Sequence, residues 1–180
     1  MFGLEKSGPF YPQRRLIEGL DNNIAIADEI DFPFLIVQGK SEGYAVNVHA
    51  AESQAASGGS AIVNTMRKLY GKIAHDGNPE ALSYNNLAAR TACFSCVIAG
   101  WTIGLWVHWF RFTDGVIQWH STILFETRVR TYSDCVELRK AIHNIFDWGC
   151  VECVHQIQEV LQTISEQRRA AELKRKAPSS

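Results

Sequence analysis

From Ala92 to Phe110 the chain runs nineteen residues without an Asp, Glu, Lys or Arg. A stretch so long and so free of charge belongs out of water, in a bilayer or in a protein core. Its composition chooses between the two. Gly100 and Gly104 interrupt it, and Val, Ile, Thr and aromatic residues dominate it, which favours strands over a membrane helix. Two buried strands, about 92–98 and 103–111, account for it, joined by a tight turn at Ala99-Gly100-Trp101-Thr102. A third strand, about 116–125, comes after Thr113-Asp114-Gly115, because Asp-Gly supplies the positive φ of a tight hairpin. No membrane partner is expected.

The 180 residues suit one compact domain with a tail. Apolar types make up 46% and charged types 21%, enough to build a core. That excludes a disordered chain and a small disulfide scaffold. Net charge is −1, which excludes a protein that coats nucleic acid over its whole surface. The charge is unevenly spread. Arg168, Arg169, Lys174, Arg175 and Lys176 stand against Glu166 and Glu172, a local +3 that leaves −4 for the rest of the net −1. Residues 1–165 read as the domain and 166–180 as a basic tail. The tail is either a frayed, solvated helix end or a nuclear-targeting or phosphate-contacting segment. No secretory signal opens the chain, and its five Cys are expected as reduced thiols, so the expected location is cytoplasmic or nuclear.

Residues 1–15 read as irregular, with a short apolar piece at Leu16-Ile17 and a turn at Asp21-Asn22-Asn23. Phe32 to Val37 reads as a buried strand with Pro33 confined to its start, and Gln38 to Gly43 as the polar exit. A long helix is expected over about 46–70, where Ala50, Ala51, Ala55, Ala56, Ala61, Ile62, Met66 and Leu69 recur near helical spacing. Gly58-Gly59 in its middle is read as a place of close packing on a sheet. Residues 71–86 read as loop. After the three strands, Ser133 or Asp134 is expected to cap a helix ending near Trp148-Gly149, and a second helix spans about 151–173. The order strand, helix, three strands, two helices gives an α/β (α+β) fold with a mixed sheet flanked by helices.

No G-x-S-x-G elbow, P-loop or G-x-G-x-x-G occurs, which argues against a hydrolase of that type, an NTPase or a dinucleotide enzyme. Cys93-x-x-Cys96 and Cys150-x-x-Cys153 invite a zinc reading. In a strand, however, positions i and i+3 face opposite ways, so no zinc is expected. His108 lies between apolar neighbours and reads as a satisfied core histidine. At the end of the first strand Gln38 and Lys40 are two apart, so they share a face. An acceptor oxygen beside an ammonium can hold a metal-bound water and orient it at a phosphodiester. Gln54, fourteen residues on, falls on the helix that could dock beside that strand end. An ordinary strand-to-loop exit explains the same residues.

Three segments resemble the PD-(D/E)xK nuclease-like domain of filamentous fungi. They are Phe32-Pro33-Phe34-Leu35-Ile36-Val37-Gln38-Gly39-Lys40-Ser41; Ala51 to Asn64, with its Glu-x-Gln and small-residue run; and Leu105-Trp106-Val107-His108-Trp109 together with Leu138 to Gly149. The resemblance implies a restriction-endonuclease-like fold. It implies a site at Gln38, Lys40 and Gln54, with Mg²⁺ held by Gln38 and by Asp28 or Asp31. It also shows departures. Gln38 stands where the family carries Glu, and Arg14-Arg15 stand where its upstream Pro-Asp is expected. Mg²⁺ prefers carboxylates, and arginine repels it. These departures imply a degenerate member, a pseudoenzyme acting as a binding or accessory protein, for instance in a specialised-metabolite locus or a genome-conflict system. Its partners would be DNA or another protein. The alternative is an active Mg-dependent DNA nuclease.

Overall fold

The computed structural model describes residues 2–5, 30–40, 48–75, 84–114 and 116–176. The Leu16-Ile17 piece, the Asp21-Asn22-Asn23 turn, Arg14-Arg15 and Asp28 lie outside the described residues. Five strands form one sheet in the order β1 (Phe2–Glu5), β2 (Ile30–Lys40), β3 (Cys93–Ala99), β4 (Thr102–Thr113) and β5 (Val116–Arg128). β1 is antiparallel to β2, β2 is parallel to β3, and β3, β4 and β5 run antiparallel. Helices α1 (Val48–His75) and α2 (Tyr84–Arg90) connect β2 to β3, as a parallel pair requires. The molecule is a mixed α+β protein.

The charge-free stretch is the β3–β4 hairpin, with a two-residue turn at Gly100-Trp101 where Gly100 takes φ 58°. At the next turn Asp114 takes φ 53°, one of the few side chains that tolerates it. No helix among the described residues is long and apolar enough to cross a membrane.

β2 is longer than expected at both ends. Pro33 sits in its fourth position, where the β1–β2 register shifts: Phe2 opposes Leu35, yet Leu4 opposes Asp31. Phe32 takes φ 51° there. The irregularity absorbs the missing N–H, and the β2–β3 ladder begins only at Leu35, after the proline. At the other end Gln38, Gly39 and Lys40 are not loop. They pair with Val97, Ile98 and Ala99.

α1 lies on the sheet face that carries Val97 and Ser95. Ala51 and Ala55 pack on Val97, and Ile62, Val63, Met66, Leu69 and Tyr70 continue the buried stripe. The glycines in its middle permit that approach. A Cβ on Gly58 would come 2.9 Å from Ile36, and one on Gly59 would lie 2.4 Å from the His108 ring. The helix runs to His75 and α2 starts at Tyr84, so part of the expected 71–86 loop is helical.

Helix α3 (Tyr132–Asp147) is capped by Thr131, not by Ser133 or Asp134. The Thr131 hydroxyl accepts from the Asp134 N–H at 3.2 Å, and the Asp134 carboxylate accepts from the Thr131 N–H at 2.8 Å. Asp134 is thus the third helical residue, the return half of a capping box. Gly149 does not end this helix. The chain passes through a π-helical turn (Trp148–Cys153) straight into α4 (Val154–Lys176). There Gly149 is buried against the Phe34 ring, which a Cβ would meet at 2.3 Å. The glycine marks a close approach, which local sequence cannot distinguish from a stop. Phe94 packs edge-on against Trp148, with centroids 5.2 Å apart. Ile157, Val160, Leu161 and Ile164, at i, i+3, i+4 and i+7, bury α4 in the main core.

Candidate functional site

The strand end singled out by the sequence takes its geometry from the β2–β3 ladder. In a parallel ladder, opposed residues point to the same side, so Gln38 and Lys40 share the face of Val97 and Ala99. That is the α1 face, because Val97 packs on Ala51 and Ala55. Gln38 is half-buried and Lys40 exposed. Gln54 is exposed on α1, next to Ala55 and one turn before Gly58, the residue that touches Ile36 of β2. Gln54 and Gly58, four apart, share a side of α1. No hydrogen bond or ion pair joins Gln38, Lys40 and Gln54.

Among the described residues, the acids are elsewhere. Asp31 belongs to β2 but precedes Gln38 by seven residues, about 23 Å of extended strand. It sits at the opposite end of the strand from Gln38. Glu5 of β1 opposes Ile30, at that same far end. Asp28 lies outside the described residues. Glu52 on α1 is engaged by His49 Nδ1 at 3.1 Å. Among the described residues, no group of three or more His, Cys, Asp or Glu is arranged to hold a metal. One amide oxygen and an ammonium do not fit Mg²⁺, which requires hard, charged oxygen donors.

Three of the five cysteines, Cys93, Cys96 and Cys153, are buried in the core. Cys93 faces α1 and its thiol donates to the Gly59 carbonyl at 3.4 Å, whereas Cys96 has the opposite parity in the same strand. Burial pushes the Cys93 and Cys153 thiols up, the latter to about 12, so neither is a thiolate near neutral pH. Cys150 and Cys135 are exposed.

A second polar constellation escaped the sequence reading. Ser95 Oγ and His108 Nε2 are 2.8 Å apart beneath Gly59, with Ser95 0% and His108 3% exposed. Burial lowers the His108 pKa from 6.5 to about 4, so the ring is neutral. The pair has the spacing of a nucleophile and its base. Helix α1 covers it and no substrate can reach it, so it serves the core, as expected of His108. Its signal was present in the sequence. A two-residue turn at Gly100-Trp101 makes paired positions sum to 201, which sets Ser95 and His108 diagonally adjacent on one face.

No curated protein and no solved structure matches the chain. A family model described as a domain of unknown function, DUF7924, matches residues 12–161. That match takes in β2 to β5, α1 to α3, the π-helical turn and α4 as far as Leu161, and the chain belongs to the DUF7924 family.

Proposed function

We propose that this chain is a catalytically silent domain of restriction-endonuclease-like fold that holds a partner, DNA or protein, without cutting it. One observation carries the proposal: the end of β2 presents Gln38 and Lys40, while Asp31 and Glu5 lie at the far end of the β1–β2 pair. The likeness of the Phe32–Ser41 and Ala51–Asn64 segments to fungal PD-(D/E)xK nuclease-like domains supports the fold. So does a mixed sheet in which β2 and β3 run parallel across α1. A lysine without paired carboxylates can still meet a phosphate or a carboxylate of a partner as a point charge. It cannot assemble a metal-activated water.

Calorimetric titration of Mg²⁺ and Mn²⁺ into the full chain tests this, with Gln38→Ala and Lys40→Ala alongside and with cleavage assays on single- and double-stranded DNA. The expected result is no stoichiometric binding and no cleavage by any of the three proteins. Stoichiometric binding that disappears in Gln38→Ala, accompanied by cleavage, would establish an active Mg-dependent nuclease instead.

A further inference from the structure

Helix α4 continues well past its buried part. Ile164 is its last buried residue, and every residue from Arg169 to Lys176 is exposed. The twelve residues from Ser165 onward extend about 18 Å along the helix axis. The expected frayed end is regular helix, supported by good helix formers and by the Gln162 amide donating to Glu166 at 2.7 Å. Arg168 and Arg175 are seven apart, as are Arg169 and Lys176. Seven residues are two turns, about 10.5 Å, so these four cations line one side of the helix. Lys174 stands off this side of the helix, and Glu172 interrupts the row one turn from both Arg168 and Lys176.

We propose that this projecting end of α4 docks in the major groove of duplex DNA, with the arginines and lysines against its phosphates. Charge complementarity argues for it. The last fifteen residues carry +3 while the remaining chain carries −4, so the tail concentrates the positive charge that a polyanion would meet. Shape argues for it too. A free helix about 10–12 Å across fits a groove about 12 Å wide, and continuous basic helices use that groove. An anionic membrane surface fits less well, because Leu173 is the single large apolar residue between Glu166 and Lys176 and no face can insert. The deep, narrow major groove of duplex RNA does not admit a helix.

Docking through α4 is independent of the strand end: the metal titration reads Gln38, and a DNA titration reads α4. Fluorescence anisotropy of the full chain with a labelled DNA duplex, at about 50 to 200 mM salt, should show binding whose log–log salt slope is about −3.5 for four phosphate contacts. The variant carrying Arg168→Gln, Arg169→Gln, Lys174→Gln, Arg175→Gln and Lys176→Gln should lose at least about tenfold in affinity at the lowest salt while keeping its circular dichroism spectrum. Glu172→Gln should bind more tightly, a gain that a merely structural role would not produce. An RNA duplex of the same sequence should bind more weakly than the DNA. Absence of wild-type binding at low salt, unchanged affinity in the neutralised variant, weaker binding by Glu172→Gln, or equal affinity for the RNA duplex would each overturn the proposal.

Discussion

Inside the sheet, Ser95 and His108 satisfy one another where water cannot, and Gly59 leaves just enough space for the ring. A neutral imidazole held there has a consequence for acid stability. Folding lowers the His108 pKa from 6.5 to about 4 because burial disfavours the charged ring. Between those values the unfolded chain binds a proton that the folded chain does not. Stability is therefore complete above about pH 6.5, falls as pH drops and levels off below about pH 4. The gap corresponds to about 3 kcal/mol at most. Urea unfolding of wild type and His108→Gln at pH 7, 5.5 and 4.5 checks it. The variant should be less stable at pH 7 yet lose less than wild type on acidification. An equally steep loss in both would place the acid sensitivity in another group.

At the scale of elements, legibility tracks how local the cause is. The hairpins of β3, β4 and β5 were readable because β-branched and aromatic runs and two-residue turns settle them within a few positions. Helix α1 was readable from its alanines, and its two central glycines from the need to lie close to a sheet. The α3–α4 junction was not. Gly149 looks like a helix stop, and only Phe34, more than a hundred positions earlier, explains it as a contact. Gly149→Ala separates the two meanings. Were it a mere stop, alanine would gain up to about 1 kcal/mol of helix propensity. Here the new Cβ meets a ring that is itself buried and held edge-on by Phe146, with centroids 6.0 Å apart. Overpacking costs about 1–3 kcal/mol, so a net loss of about 1–2 kcal/mol is expected, a melting temperature lower by several degrees. Phe34→Leu combined with it should recover part of that loss, since the two changes share one contact. A Gly149→Ala protein that melts higher than wild type would show that the turn has room to spare.

Across the whole molecule, the residues around the candidate site were legible and its chemistry was not. The shared face of Gln38 and Lys40 comes from strand periodicity alone. The position of Asp31 required knowing that β2 starts at Ile30 and continues through Pro33, which a proline argues against until the register shift beside β1 is seen. Long-range packing supplies what local pattern lacks, and one core does that for every layer: Phe34 and Leu35 of β2, Tyr70 of α1, Leu105 of β4 and Ile157 of α4 belong to a single buried cluster. Such sharing predicts one cooperative transition. Four of the five Trp report on the β3–β4 turn and on β4 and β5, while far-UV dichroism is weighted to α1, α3 and α4. Fluorescence and dichroism should therefore give coincident urea curves. Ile157→Ala truncates a fully buried side chain distant in sequence from every strand, and it should cost about 2–5 kcal/mol. Because the cluster joins the layers, both curves should shift together by that amount. A dichroism curve that moves while the Trp curve stays would mean that α4 melts from a sheet able to stand without it, and the continuous core would have to be divided in two.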